Sequence, residues 1–125
     1  MTTRVLSESV PVSDQNAALR FYTEVLGCDL RTDVQLWPGA RMVEVAPPGS
    51  SVSVVLLPPD SQIPVAIRLG TSDARRAHDT LRDAGVTLHD AELVLMDGVP
   101  AMFSFTDPDG NGVVYMEEYD PREPR

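Results

Sequence analysis

Residues 4–12 (RVLSESVPV) are an apolar stretch with a proline near its end and read as a strand. The period then changes. Ala18, Phe21, Tyr22 and Val25 recur at i, i+3, i+4 and i+7, which predicts a helix over 14–26 with these four on one face. Ser13 or Asp14 can cap its start, and Gly27 can take the left-handed conformation after its end. Strands are predicted at 28–35, 40–46 and 51–58. In the second of these Val43 and Val45 alternate with Met42 and Glu44; in the third Val52, Val54 and Val55 supply β-branched content. Trp37-Pro38-Gly39 and Pro47-Pro48-Gly49 supply turns. The same order then recurs. A strand at 63–70 precedes a helix at 73–84 that buries Ala77, Leu81 and Ala84. Strands follow at 86–95, 100–106 and 112–119, with turns at Asp97-Gly98 and along Asp107 to Gly112.

The recurrence extends to the residues themselves. Val12-Ser13-Asp14 and Thr71-Ser72-Asp73 open the two helices 59 residues apart, and Ala40–Gly49 (ARMVEVAPPG) matches Ala101–Gly110 (AMFSFTDPDG) at a spacing of 61. The pattern is βαβββ twice, an α+β arrangement of paired modules, half-module 1 at about 1–60 and half-module 2 at about 61–119, within one domain of the usual size. One four-stranded sheet backed by one helix leaves a face uncovered. Two such sheets facing each other make a cup-shaped mixed sheet with an interior. The polar, proline-containing tail 120–125 is expected to fray.

Composition narrows the classes. With 19 acidic and 10 basic side chains the net charge is −9, which argues against nucleic acid or an anionic lipid surface as partner. A single cysteine, Cys28, forms no internal disulfide. No apolar run approaches the ~20 residues of a membrane span, and no signal peptide is visible. A cytoplasmic protein is the expectation.

Three segments carry a family resemblance. Pro11-Val12-Ser13-Asp14 followed by Ala18-Leu19-Arg20-Phe21-Tyr22 and Leu26-Gly27 is similar to the opening of the vicinal oxygen chelate superfamily, the glyoxalase, bleomycin-resistance and extradiol dioxygenase group. Leu81-Arg82-Asp83-Ala84-Gly85-Val86 resembles its second helix exit, and Phe105-Thr106-Asp107-Pro108-Asp109-Gly110-Asn111 its closing signature, the most specific of the three. The resemblance implies the paired βαβββ fold and a homodimer. It does not fix an activity, because the fold hosts lyases, isomerases, dioxygenases, transferases and drug-binding proteins.

The resemblance also implies where a divalent metal is usually held. The positions, seven residues before each helix-opening Asp and three after the signature Asn, are here Ser7, Ala66 and Val114. An ion such as Fe, Mn, Ni or Zn needs three or four N or O ligands at about 2.0–2.2 Å. Serine is a poor ligand, and alanine and valine offer none, so no metal and no other cofactor is expected. A shifted site would draw on Glu8, Glu44, Glu117 and Glu118, all on predicted strands. Strand alternation turns Glu8 away from the expected face, whereas Glu118 shares a face with Val114 and Met116. His78 and His89 read as surface histidines, and Cys28 as a small buried apolar residue.

A cup without metal can still bind a small molecule through an apolar lining and a few polar groups. The candidate ligand contacts are Trp37, Met42, Arg68, Met102, Phe103, Tyr115, Met116 and Glu118. Trp37, in its Pro-Gly turn, suits a rim. Arg68 shares a strand face with Ala66 and is read either as a carboxylate or carbonyl anchor or as the partner of Glu118. Two functions follow: non-enzymatic sequestration of a small aromatic or cationic compound, as in the bleomycin-resistance (antibiotic-resistance) branch, or an enzyme using a displaced metal or metal-free acid–base chemistry with Glu118 or Tyr115. The absent ligands favour the first.

Overall fold

The computed structural model describes residues 3–118. The expected tail at 120–125 and the last residue of the predicted final strand lie outside them. The chain divides into two compact units. Residues 6–65 form module 1, and residues 66–118 with residues 3–5 form module 2.

Module 1 is built from β1 (Thr3–Pro11) from residue 6 onward, α1 (Gln15–Arg20), a π-helical turn (Phe21–Val25), β2 (Asp29–Trp37), β3 (Ala40–Ala46) and β4 (Ser53–Leu57). The strands lie in the order β2-β3-β4-β1, antiparallel except for the β1–β4 pair. The Asp14 side chain caps α1 by accepting from the Ala17 N–H at 3.0 Å. The helical run expected over 14–26 changes character at Phe21. Thr23 Oγ1 donates back to the Leu19 carbonyl at 2.7 Å, a local bond that competes with the regular ladder, and Leu26 N–H reaches Phe21 O five residues back. Gly27 follows in the left-handed region at φ +77°, as its position predicts. Alternation along the strands decides the layering. Val43, Val45 and Leu56 are buried beneath Ala18, Leu19 and Tyr22, with Cys28 packed at the margin. The opposite face carries Ala40, Val55 and Leu57, covered by Ile63 and flanked by Met42 and Val65.

Module 2 repeats the plan with β5 (Ile67–Thr71), α2 (Ala74–Asp83), β6 (Val94–Met96), β7 (Val99–Thr106) and β8 (Gly112–Glu117), ordered β5-β8-β7-β6. Asp73 caps α2 through the Arg76 N–H at 3.0 Å. Ser7 faces Ser53 and Ile67 faces Val113, a separation of 46 residues across the parallel pair in both modules. The Ala-to-Gly sequence match sets Val43 beside Ser104. By register and burial, however, the equivalent of Val43 (opposite Leu56) is Phe103 (opposite Tyr115). The turns set the spacing of 61, and the ladder follows burial instead.

The strand expected at 86–95 is largely absent. Only Val94–Met96 pairs as a strand, and Leu88 makes an isolated bridge to Phe105. The reason is side-chain competition. The Asp90 carboxylate takes hydrogen bonds from the Ser104 N–H (3.0 Å) and hydroxyl (3.3 Å), while the Asp90 carbonyl lies 3.0 Å from Nε2 of His78. His78 is therefore not a surface residue. It is 4 % exposed and sets its ring edge-on to Phe103, 5.1 Å between centroids. The closing signature is a turn device. Asp107 accepts from the N–H groups of Asp109 and Asn111 and from the Asn111 amide, which together with the Gly110 N–H hold its carboxyl below the usual range.

Candidate functional site

The alternation that buries Val43 and Val45 under α1 puts Met42 and Glu44 on the far face of the module 1 sheet. Toward the β2 edge this face is accessible. Thr32, Met42 and Glu44 are half-buried, and Val34 and Trp37 are 39 % and 37 % exposed. Thr32 stands opposite Glu44, and its hydroxyl donates to Oε1 at 3.0 Å; the Ser53 hydroxyl donates to Oε2. Ser7, 3 % exposed, lies beside Ser53 in register. The carboxylate is thus braced on both oxygens by hydroxyls, and no arginine or histidine pairs with it among the described residues. Trp37 ends β2 at the Pro38-Gly39 turn, where Gly39 (φ +83°) supplies the conformation a type II turn needs. Its indole Nε1–H donates to Gln62 Oε1 at 2.6 Å.

Module 2 distributes the other expected contacts over two faces. Phe103 is buried and stacks on Tyr115 (5.3 Å) and Phe105 (6.1 Å) on the face that meets His78 of α2. Phe103 and Tyr115 therefore pack beneath the helix, away from Met102 and Met116, which are cross-strand partners on the opposite face. Arg68 is buried opposite Val114 and donates to the Ala66 carbonyl at 3.4 Å. Glu118 does not pair with Arg68. Its carboxylate takes two hydrogen bonds from Arg4, 3.0 Å from Nε and 2.9 Å from Nη2, and its N–H donates to Thr71 O. Glu117 accepts from the Ala74 N–H at the start of α2, and Glu8 is exposed on β1. In the sequence Glu44 stands out only as a candidate for a shifted metal site, and Gln62 does not stand out. The signal for Glu44 was present in its alternation with Val43 and Val45. Gln62 sits in an irregular segment with no period to read.

The family model described as "Glyoxalase/Bleomycin resistance protein/Dioxygenase superfamily" matches residues 4–115. The chain belongs to this superfamily. An uncharacterised Bacillus subtilis protein, YetH, is 28 % identical over 116 residues, covering 89 % of this chain and 95 % of that one. A hypothetical protein from Bacillus halodurans superposes with a TM-score of 0.78 at 16 % identity, over 99 % of this chain and 100 % of its own. Methylmalonyl-CoA epimerase from Mycobacterium tuberculosis superposes at 0.75 and 21 % identity, over 94 % and 89 %. At these identities the structural likenesses show the glyoxalase fold, paired βαβββ modules, and no activity.

Ser7, Ala66 and Val114 stand at the positions where the family resemblance implies that a metal would be held. All three are buried, and they offer one hydroxyl between them. Taken singly, a serine hydroxyl is a poor ligand for a divalent transition ion, and alanine and valine offer none. Among the described residues no three His, Cys, Asp or Glu side chains gather as a metal-holding group. No helix among the described residues is long and apolar enough to cross a membrane.

Proposed function

We propose that this glyoxalase-superfamily protein binds a small molecule with a planar apolar part on the far face of the module 1 sheet, without using the superfamily's usual metal. The observation that carries this reading is the accessible row of Trp37, Val34 and Met42 on a face that otherwise belongs to the core. Trp37 offers a ring for stacking, and its bond to Gln62 restrains it before a ligand arrives. Met42 supplies an adaptable apolar surface. Binding rather than turnover is favoured because the donor set at Ser7, Ala66 and Val114 does not support the superfamily's metal chemistry.

A dansyl group on a five-carbon chain ending in hydroxyl is a neutral probe for this reading. Trp37 is the only tryptophan, so energy transfer to the dansyl ring reports binding to the chain, and the Met42 variant tests the face. The expected result is saturable transfer, with the protein stabilised by about 2.7 kcal/mol at a hundredfold excess over Kd. Met42→Ala should weaken binding several-fold. Absence of both transfer and stabilisation contradicts the reading.

A further inference from the structure

We propose that the far face of module 1 selects ligands carrying an ammonium group, and that Glu44 is the residue that recognises it. The inference rests on the binding reading above and adds the charge class of the ligand. A carboxylate has about four acceptor positions. Thr32 and Ser53 fill two and fix the orientation of the rest. Glu44 is half-buried, and no cationic side chain pairs with it among the described residues. Glu44, half-buried and held by hydroxyls, keeps its charge and open acceptor positions for a cation from outside the chain. A second observation points the same way. The Ser7 hydroxyl belongs to a residue 3 % exposed and projects from the same face as Ser53, adding a second hydroxyl to that face. An ammonium has three donors; Glu44 offers acceptor positions, and the Ser7 hydroxyl lies on the same face one strand further on, beyond Ser53. The net charge of −9 favours capture of a cation at distance.

The geometry also sets a length. Trp37 lies opposite Ala40, four residues along β3 from Glu44, with Met42 between. At the rise of an antiparallel strand this is about 13 Å. The ligand class is therefore an aromatic or other planar group joined to an ammonium by a chain of several bonds.

Three dansyl probes with one ring and a five-carbon chain, ending in ammonium (dansylcadaverine), hydroxyl or carboxylate, separate this inference from the reading beneath it. The ammonium probe should bind at least tenfold tighter than the hydroxyl probe, and the carboxylate probe more weakly than either. The preference should shrink between low and high salt. Glu44→Gln should abolish it, bringing the ammonium probe down to the affinity of the hydroxyl probe. Thr32→Val, which loosens the carboxylate without removing it, should reduce the preference and guards against a folding defect in the first variant. Equal binding of ammonium and hydroxyl probes, or a preference that survives in folded Glu44→Gln, overturns the inference and leaves the apolar reading intact. Failure of all three probes to bind overturns both.

Discussion

Thr32 and Glu44 face each other across the β2–β3 pair, and the threonine hydroxyl holds one oxygen of the carboxylate at 3.0 Å. Thr32→Val keeps the side-chain shape and removes that donor. A half-buried acceptor that loses a partner costs about 1–3 kcal/mol. The lower end is expected here, since the Ser53 hydroxyl remains and the site is partly solvated. Urea denaturation should show a lower midpoint with an unchanged slope.

Phe103 is 1 % exposed and is packed by His78, Phe105 and Tyr115. Phe103→Ala should cost about 3–5 kcal/mol, the usual range for an emptied aromatic site. Met102→Ala, on the accessible side of the same strand, should cost less. The measurement is equilibrium unfolding of both variants. A ligand-lining role for Phe103 would instead leave stability nearly unchanged and move affinity.

The two N-caps are equivalent. Asp14 and Asp73 each accept from the N–H three residues on, at 3.0 Å. Replacing either with alanine should cost about 1 kcal/mol, within a usual range of 0.5–2. Thermal unfolding of the single and double variants checks this, with additive losses expected because the caps share no partner.

These caps show which parts of the fold were legible. Asp14 and Asp73 sit before apolar runs with helical spacing, and Gly27 follows the first, so local chemistry and period agree. The strand expected at 86–95 was misread because its residues are strand-like, while Asp90 and His78 bind groups distant in sequence. The faces of module 2 were misread for a related reason. Phe103 and Phe105 alternate with Met102 and Ser104, and both sets are plausible linings. Only the position of α2 tells which set is covered. The pairing with Glu118, one of two readings for Arg68, rests on neighbouring strands, whereas the Glu118 carboxylate bonds Arg4 from the start of the chain.

Asp107 gives a pH dependence. Its carboxyl is lowered chiefly by the Asn111 side chain and then by backbone N–H groups, so ionised Asp107 favours the folded turn. The stabilisation is fully present above the unfolded carboxylate value and disappears as pH falls through the lower folded value. Wild type should therefore exceed Asp107→Ala in stability at neutral pH, and the gap should narrow on acidification below the ordinary carboxylate value of 3.8. Asp33, lowered by its hydrogen bond to Arg41, has the same sign. Chemical denaturation across acidic pH reads both.

Metal content tests the donor-set argument separately. Protein purified without chelator should carry far less than one transition ion per chain. One tightly bound equivalent would contradict the assignment of Ser7, Ala66 and Val114 as a site without ligands.

The central claim is that ligand binds at the far face of module 1. The methionines mark the modules: Met42 lies in module 1, and Met96, Met102 and Met116 lie in module 2. In a methyl-carbon NMR titration of methionine-labelled protein with dansylcadaverine, the account predicts that the Met42 methyl shifts progressively to saturation. An unmoved Met42 methyl at saturating probe, with shifts confined to Met102 and Met116, would contradict it.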